Sequence, residues 1–266
     1  MNDTIHHLIS RSSVRSFDAR PLLPEHEQAI LNAALRAPTA GNMMLYTILR
    51  VKDQKTRDTL SVTCDHQPFI AEAPLSLIFL ADFTRWTMLF EASGVPDLAK
   101  EKGIAWNGPS IGDFLLCCSD ALIAAQNAVV AAQSLGIGSC YIGDIMENYE
   151  THRSLFHLPP QAFPIAMLVL GYPKNGRMPK PRSRYDGSFI VHDEVYQSFA
   201  PRELLHMVEK EDGHVADNIQ GIEPAEYVRR FFMRKQGAEF CREMARSAQV
   251  ALDAFLGRVK IDETGT

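Results

Sequence analysis

Hydrophobic positions along the chain fall into short runs and one long one. Residues 45–51, 75–81, 139–142 and 164–170 are short, strongly apolar and fit a pleated, buried surface, so each predicts a strand. Residues 112–135 have helical length instead. The polar residues Asp113, Asp120, Asn127 and Ser134 recur there every seven positions and share one face, while Ala, Leu, Ile and Val fill the rest. A helix apolar over most of its circumference belongs in a core or a subunit interface. An earlier helix is predicted over residues 24–37. Pro24 suits its first position, Glu25 and Glu27 suit its positive end, and Pro38 stops it. Strands and helices in this irregular order, without repeated βαβ units, predict an α+β fold.

After Gly171 the texture changes. Residues 172–187 are rich in Pro, Gly and Arg. Residues 203–257 read as helical and charged, with an apolar stripe of Tyr227, Val228, Phe231 and Phe232. This tail is too thin to fold alone and is expected to pack on its own core or on a partner subunit. The expected division is a core of residues 1–200 and a helical extension of residues 201–266.

Composition narrows the function. A formal net charge of -5 argues against a nucleic-acid or acidic-membrane binder. Cys64, Cys117, Cys118, Cys140 and Cys241 form no Cys-x-x-Cys pair and read as reduced thiols in a cytoplasmic protein. Residues 121–143 carry no charge and are long enough to cross a bilayer. Gln126, Asn127, Gln133 and three glycines within that stretch argue for a buried helix and strand. The first fifteen residues hold no apolar block of signal-peptide length.

Four segments have chemical potential. Arg11 and Arg15, with Ser12 and Ser13 between them, would share a face if helical. Lys174, Arg177, Lys180, Arg182 and Arg184 lie in eleven residues without an acid; Pro179 and Pro181 would hold Lys180 and Arg182 extended and on one side. Arginine, lysine and hydroxyl donors suit a phosphate monoester, and a solvated linker is the alternative. Thr39, Ala40, Gly41 and Asn42 form either a loop that lets a ligand approach the backbone or a plain helix-to-strand connection. Residues 136–143 are glycine-rich, but their spacing and their place after a helix exclude a dinucleotide fingerprint. Glycines flanking a short strand suggest a flat ligand lying against the backbone. His6, His7, His152 and His157 show no metal-ligand spacing, and no nucleophile-elbow or zinc-protease motif occurs.

Taken in order, residues 11–17, 34–43, 64–74, 135–143, 168–173 and 180–182 resemble the nitroreductase / flavin reductase family, in particular its NADPH-preferring branch with a long C-terminal extension. The resemblance implies a central, mainly antiparallel sheet flanked by helices. It also implies a homodimer with FMN at the subunit interface. Arg11, Ser12, Ser13, Arg15, Lys180 and Arg182 would then hold the phosphate and ribityl chain. Thr39, Ala40, Gly41 and Asn42 would reach the flavin from the other subunit, and Gln67 would bond the ring or ribityl. Tyr141, Ile142 and Gly143 would line the ring, with a backbone N–H near N5. Ser12 replaces a basic residue common in the family, and Asp144 replaces a second glycine.

The implied reaction passes hydride from NADPH or NADH through FMN to a small acceptor such as a nitroaromatic, a quinone or a free flavin. Arg229, Arg230 and Arg234 are candidates for a 2′-phosphate, or they form a solvated helix face. A flavin carrier or sensor without turnover, and a different flavin reduction such as dehalogenation or reduction of an activated alkene, share the same motifs.

Overall fold

The computed structural model describes residues 2–209 and 222–259. The chain divides into two compact units, Met1–Pro179 with Glu243–Thr266 and Lys180–Arg242, rather than once at residue 200. The expected helical stretch over residues 203–257 is described only on either side of residues 210–221.

In the first unit the order is α1 (Asp3–Ser10), α2 (Pro24–Leu35), β1 (Tyr46–Val51), α3 (Gln54–Thr63), α4 (Phe69–Glu72) and β2 (Leu75–Asp82). Then follow α5 (Thr84–Ala92), α6 (Val95–Glu101), α7 (Ile111–Ser134), β3 (Gly138–Ile142), α8 (Tyr149–Phe156) and β4 (Ala162–Gly171). The second unit carries α9 (Pro201–Glu209) and α10 (Pro224–Arg234). The last helix, α11 (Glu239–Phe255), belongs to the first unit from Glu243 on.

The four strands pair in the order β1-β2-β4-β3, antiparallel throughout. β2 is buried along its whole length, and its side chains alternate between two cores. Leu75, Leu77 and Phe79 face α2 and α7, whereas Ile78 and Leu80 face the side of Leu60, Ile70 and Val14. That alternation makes a layered α+β molecule, each buried Leu or Ile contributing about 1.5–3 kcal/mol. β4 begins two residues earlier than its apolar run predicts. Pro164 therefore sits inside a central strand, where it lacks a ladder donor, and the register against β2 shifts between Phe79 and Leu80. A bulge is how a sheet admits such a proline.

α7 opens with a capping box between Ser110 and Asp113, and Asn127 donates to the Ala33 carbonyl on α2 (3.1 Å). The helix has the length and composition to cross a membrane, but eight of its residues are buried against the sheet and α2. α11 packs on its own core. Phe255 joins Leu45, Phe83 and Cys117, Ala251 joins Tyr149 and Phe163, and Ser247 Oγ accepts the Tyr149 N–H (3.1 Å).

Candidate cofactor site

Between α1 and α2 the chain runs as an extended strap, so the helical condition under which Arg11 and Arg15 would share a face is not met. α1 ends at Ser10, and Arg11 has φ -61 and ψ 133. Ser13 bridges Ser139 of β3 in parallel, and the Val14 N–H donates to the Ser139 carbonyl (2.9 Å). In extended backbone successive side chains alternate. Ser12 and Val14 are accordingly buried, while Arg11, Ser13 and Arg15 face the other way. Ser12 is therefore misplaced in the predicted phosphate set: its hydroxyl donates to the Pro179 carbonyl (2.7 Å).

Gly138 exists for the strap and not for a ligand. A Cβ there would lie 2.5 Å from Val14 Cγ2. Burial raises the Cys140 thiol, while Arg15, a Ser13 hydrogen bond and Arg11 pull it back. Arg11, Ser13 and Arg15 are thus gathered around one sulfur. Among the described residues, neither Arg11 nor Arg15 is in a salt bridge, and Arg15 lies over the Phe69 ring at 5.9 Å.

β3 then delivers Tyr141, Ile142 and Gly143. Ile142 is buried in the core, so any role of its side chain is structural. Tyr141 is half-buried, which pushes its hydroxyl up to about 12, with Arg11 pulling the other way. Gly143 is exposed, and an added Cβ would meet nothing nearer than Met146 Cε at 4.0 Å. The backbone there is open to a flat ligand. Gln67 Nε2 donates to the Cys64 carbonyl (3.0 Å) and to Asp144 Oδ2 (2.7 Å), linking the turn after α3 to the turn after β3.

The loop at Thr39–Asn42 is clasped from below by Asp120, which the heptad spacing placed on a polar face. Asp120 is 3% exposed. It accepts the Thr39 hydroxyl, the Ala40 N–H (3.0 Å) and the Leu45 N–H (3.2 Å). Thr39 Oγ1 also accepts the Met44 N–H (2.8 Å). The Thr39 hydroxyl and the Ala40 amide are therefore committed inside the chain, and these two residues shape the loop. Gly41, at φ 55, and Asn42 remain at its tip. Asn42, Met43, Met44, Tyr46 and Arg85 line a cleft of about 550 Å³. A lone acid in an otherwise apolar stretch was the signal for Asp120, but spacing alone does not say what it binds.

Lys180 and Arg182 open the second unit and are exposed. On α10, Arg229 and Arg230 both pair with Glu226, at 3.0 and 2.8 Å, and Arg234 lies over Phe231 at 5.6 Å. Those guanidiniums are already engaged on a helix face, which favours the solvated-face reading over a 2′-phosphate site.

A family model described as "Nitroreductase family" matches residues 8–172. The chain belongs to the Nitroreductase family. Among its relatives, an FMN reductase [NAD(P)H] of Bacillus subtilis is 33% identical over 196 residues, covering 74% of this chain and 75% of that protein. An oxygen-insensitive NADPH nitroreductase of Salmonella typhimurium is 32% identical over 197 residues, covering 74% and 76%. The crystal structure of nitroreductase A from Vibrio parahaemolyticus superposes with a TM-score of 0.72 at 26% identity, covering 86% of this chain and 92% of that one. Membership rests on the stretch that contains the strap, the Asp120 clasp and the Gly143 turn.

Proposed function

We propose that this member of the Nitroreductase family carries its FMN against the strap and the Gly143 turn. The chain is an FMN-dependent NAD(P)H oxidoreductase. The observation that carries the site assignment is the donor set of the strap: two guanidiniums without carboxylate partners among the described residues and a hydroxyl, all on one side of an extended segment. Forked, charged donors of that kind suit a terminal phosphate. The exposed backbone at Gly143 offers room for a flat ring, and Tyr141 and Gln67 flank it. Lys180 and Arg182 are assigned to the same phosphate on their sequence motif alone.

When bound, FMN would supply the redox chemistry that links hydride donation by a nicotinamide to reduction of a small acceptor. The chain's own residues bind and orient it. Arg11, Ser13 and Arg15 neutralise the phosphate, the turn at Gly143 leaves the ring face open, and Asp120 holds the loop of Gly41 and Asn42 in one shape. Nitroaromatics, quinones and free flavins fit such an open face.

The protein works as a homodimer in the cytoplasm. On α7, Leu115, Leu116, Leu122 and Ile123 form an exposed apolar stripe, Leu115 being 61% exposed. Such a stripe supports a large hydrophobic subunit interface, and the Gly41–Asn42 tip would then reach the partner's flavin. Purified protein should be yellow, release FMN and not FAD on denaturation, and bleach with NADPH or NADH. A colourless protein that takes up no FMN at micromolar concentration would refute the assignment. Leu115→Glu should yield monomers by sedimentation, and a dimer of unchanged strength would exclude α7 from the interface.

A further inference from the structure

Gln67 has its orientation decided by its surroundings. Its side-chain amide has two hydrogens, and both are committed, to the Cys64 carbonyl at 3.0 Å and to Asp144 Oδ2 at 2.7 Å. Rotating the amide by half a turn would set its oxygen against two acceptor oxygens, so only one orientation is compatible with both neighbours. The backbone is held as well: the Gln67 N–H donates to the Ser61 carbonyl (2.8 Å), and Asp65 and His66 before it take φ 56 and 49. What Gln67 has left to offer a ligand is its carbonyl oxygen. It can accept from a ring imide N–H or a ribityl hydroxyl, and it cannot donate to a ring oxygen.

The clasp depends on Asp144 being an acceptor, and Asp144 is not alone. Glu147, three residues on and 4% exposed, is hydrogen-bonded to the Asp144 carboxyl, while its Oε1 has no donor. Two carboxylates in contact cannot both be ionised without a cation to compensate. The groups facing Glu147 are Asp144 on its own turn, Asp65 from the turn after α3 and Glu243 from α11, with the neutral Cys64 thiol beside them. His152 on α8 is held neutral by burial, its ring between the Ile145 carbonyl and Thr63 Oγ1. Arg246 is committed to Glu150 and Glu243.

We propose that Asp144 and Glu147 share one proton and act together as positioning residues for Gln67, holding its amide so that only its carbonyl is presented to FMN. Glu147 is the proton's seat, and the Asp144 carboxyl accepts from Gln67 on one side and from the protonated Glu147 on the other. Burial and the Asp144 carboxylate push Glu147 up to about 8, so the proton is held at neutral pH and leaves in mildly alkaline solution. Once it leaves, two adjacent negative charges repel and the Gln67 clasp opens. This rests on the site assignment above for the ligand, but not for the proton.

The test has two arms. The first is the infrared spectrum of the full chain. A protonated-carboxyl band should be present at pH 7, lost by pH 9, and missing at both in Glu147→Gln. A band that titrates identically in Glu147→Gln, or none at pH 7, overturns the shared proton whether or not FMN binds. The second arm is FMN affinity by flavin fluorescence. From pH 7 to pH 9 the wild-type Kd should rise about fivefold to tenfold, and that of Glu147→Gln less than about twofold, since an amide keeps a donor toward Asp144 at every pH. Asp144→Ala, which removes the acceptor, should bind FMN about tenfold more weakly already at pH 7, with little further change at pH 9. Equal pH dependence in all three proteins overturns the positioning role. A chain that takes up no FMN at either pH refutes the site assignment and with it the presentation of Gln67, and the infrared arm then decides the proton alone.

Discussion

Two segments of the chain are rich in cations, and they hold them differently. In the strap, Ser12, Val14 and Phe17 are anchors: Ser12 bonds Pro179, Val14 fills the space Gly138 leaves, and Phe17 packs beside Gly171. Arg11, Ser13 and Arg15 are aimed by what their neighbours bury. Residues 180–184 contain Pro181, Arg184 donates to the Arg182 and Ser183 carbonyls (3.2 and 3.1 Å), and Lys180, Arg182 and Arg184 are exposed. A guanidinium whose backbone is already fixed loses less conformational entropy on binding an anion. Equal charge on the two segments does not imply equal contribution.

The largest effect is expected from an uncharged position. Gly138→Ala puts a Cβ 2.5 Å from Val14 Cγ2, so the strap must move away from β3. Overpacking of this kind costs about 1–3 kcal/mol of stability, and displacing three donors together should weaken FMN binding about 100-fold or more. A variant with wild-type Kd would separate strap geometry from binding. Arg15→Ala, removing one charge-assisted bond, should raise the Kd roughly 30- to 100-fold with little change in melting temperature. Arg182→Ala should raise it about 10-fold, and Arg177→Ala, outside the matching motif, less than about threefold. Should Arg182→Ala prove worse than Arg15→Ala, the ranking by pre-organisation is wrong. The smallest effect belongs to α10. Because Glu226 already holds Arg229 and Arg230 on an exposed helix face, Arg230→Ala should change the ratio of kcat/KM for NADPH and NADH by less than about threefold.

Much of this fold was legible in the chain. The short apolar runs became β1 to β4, and the long one became α7, because burying backbone polar groups forces regular hydrogen bonding wherever apolar residues are dense. For the strap, the residues alone left the backbone period open. Two arginines four apart look helical, and only the free edge of β3, with Gly138 opening a slot for Val14, turns them into alternate positions of an extended segment. The α7 heptad was read as one polar face, yet its members serve unlike ends: Asp113 caps the helix, Asp120 clasps a loop, and Asn127 docks α2. Periodicity reports which side of a helix a residue occupies, not what stands opposite.

By itself the sequence determined which segments are strands and helices, that they form an α+β sheet protein, and which motifs place it in the Nitroreductase family. Those properties follow from local patterning and from residue types in fixed order. Tertiary structure alone decided which polar groups remain available to a ligand. The Ser12 hydroxyl, the Thr39 hydroxyl, the Ala40 amide and both Gln67 amide hydrogens are taken by partners distant in the chain, at Pro179, Asp120 and Asp144, with Cys64 the one local acceptor. A buried donor must find an acceptor, and which acceptor it finds is a property of packing. For the same reason the return of α11 to the first core, through Phe255 and Ser247, was beyond any local signal: an amphipathic helix carries the requirement for a partner surface but not its address.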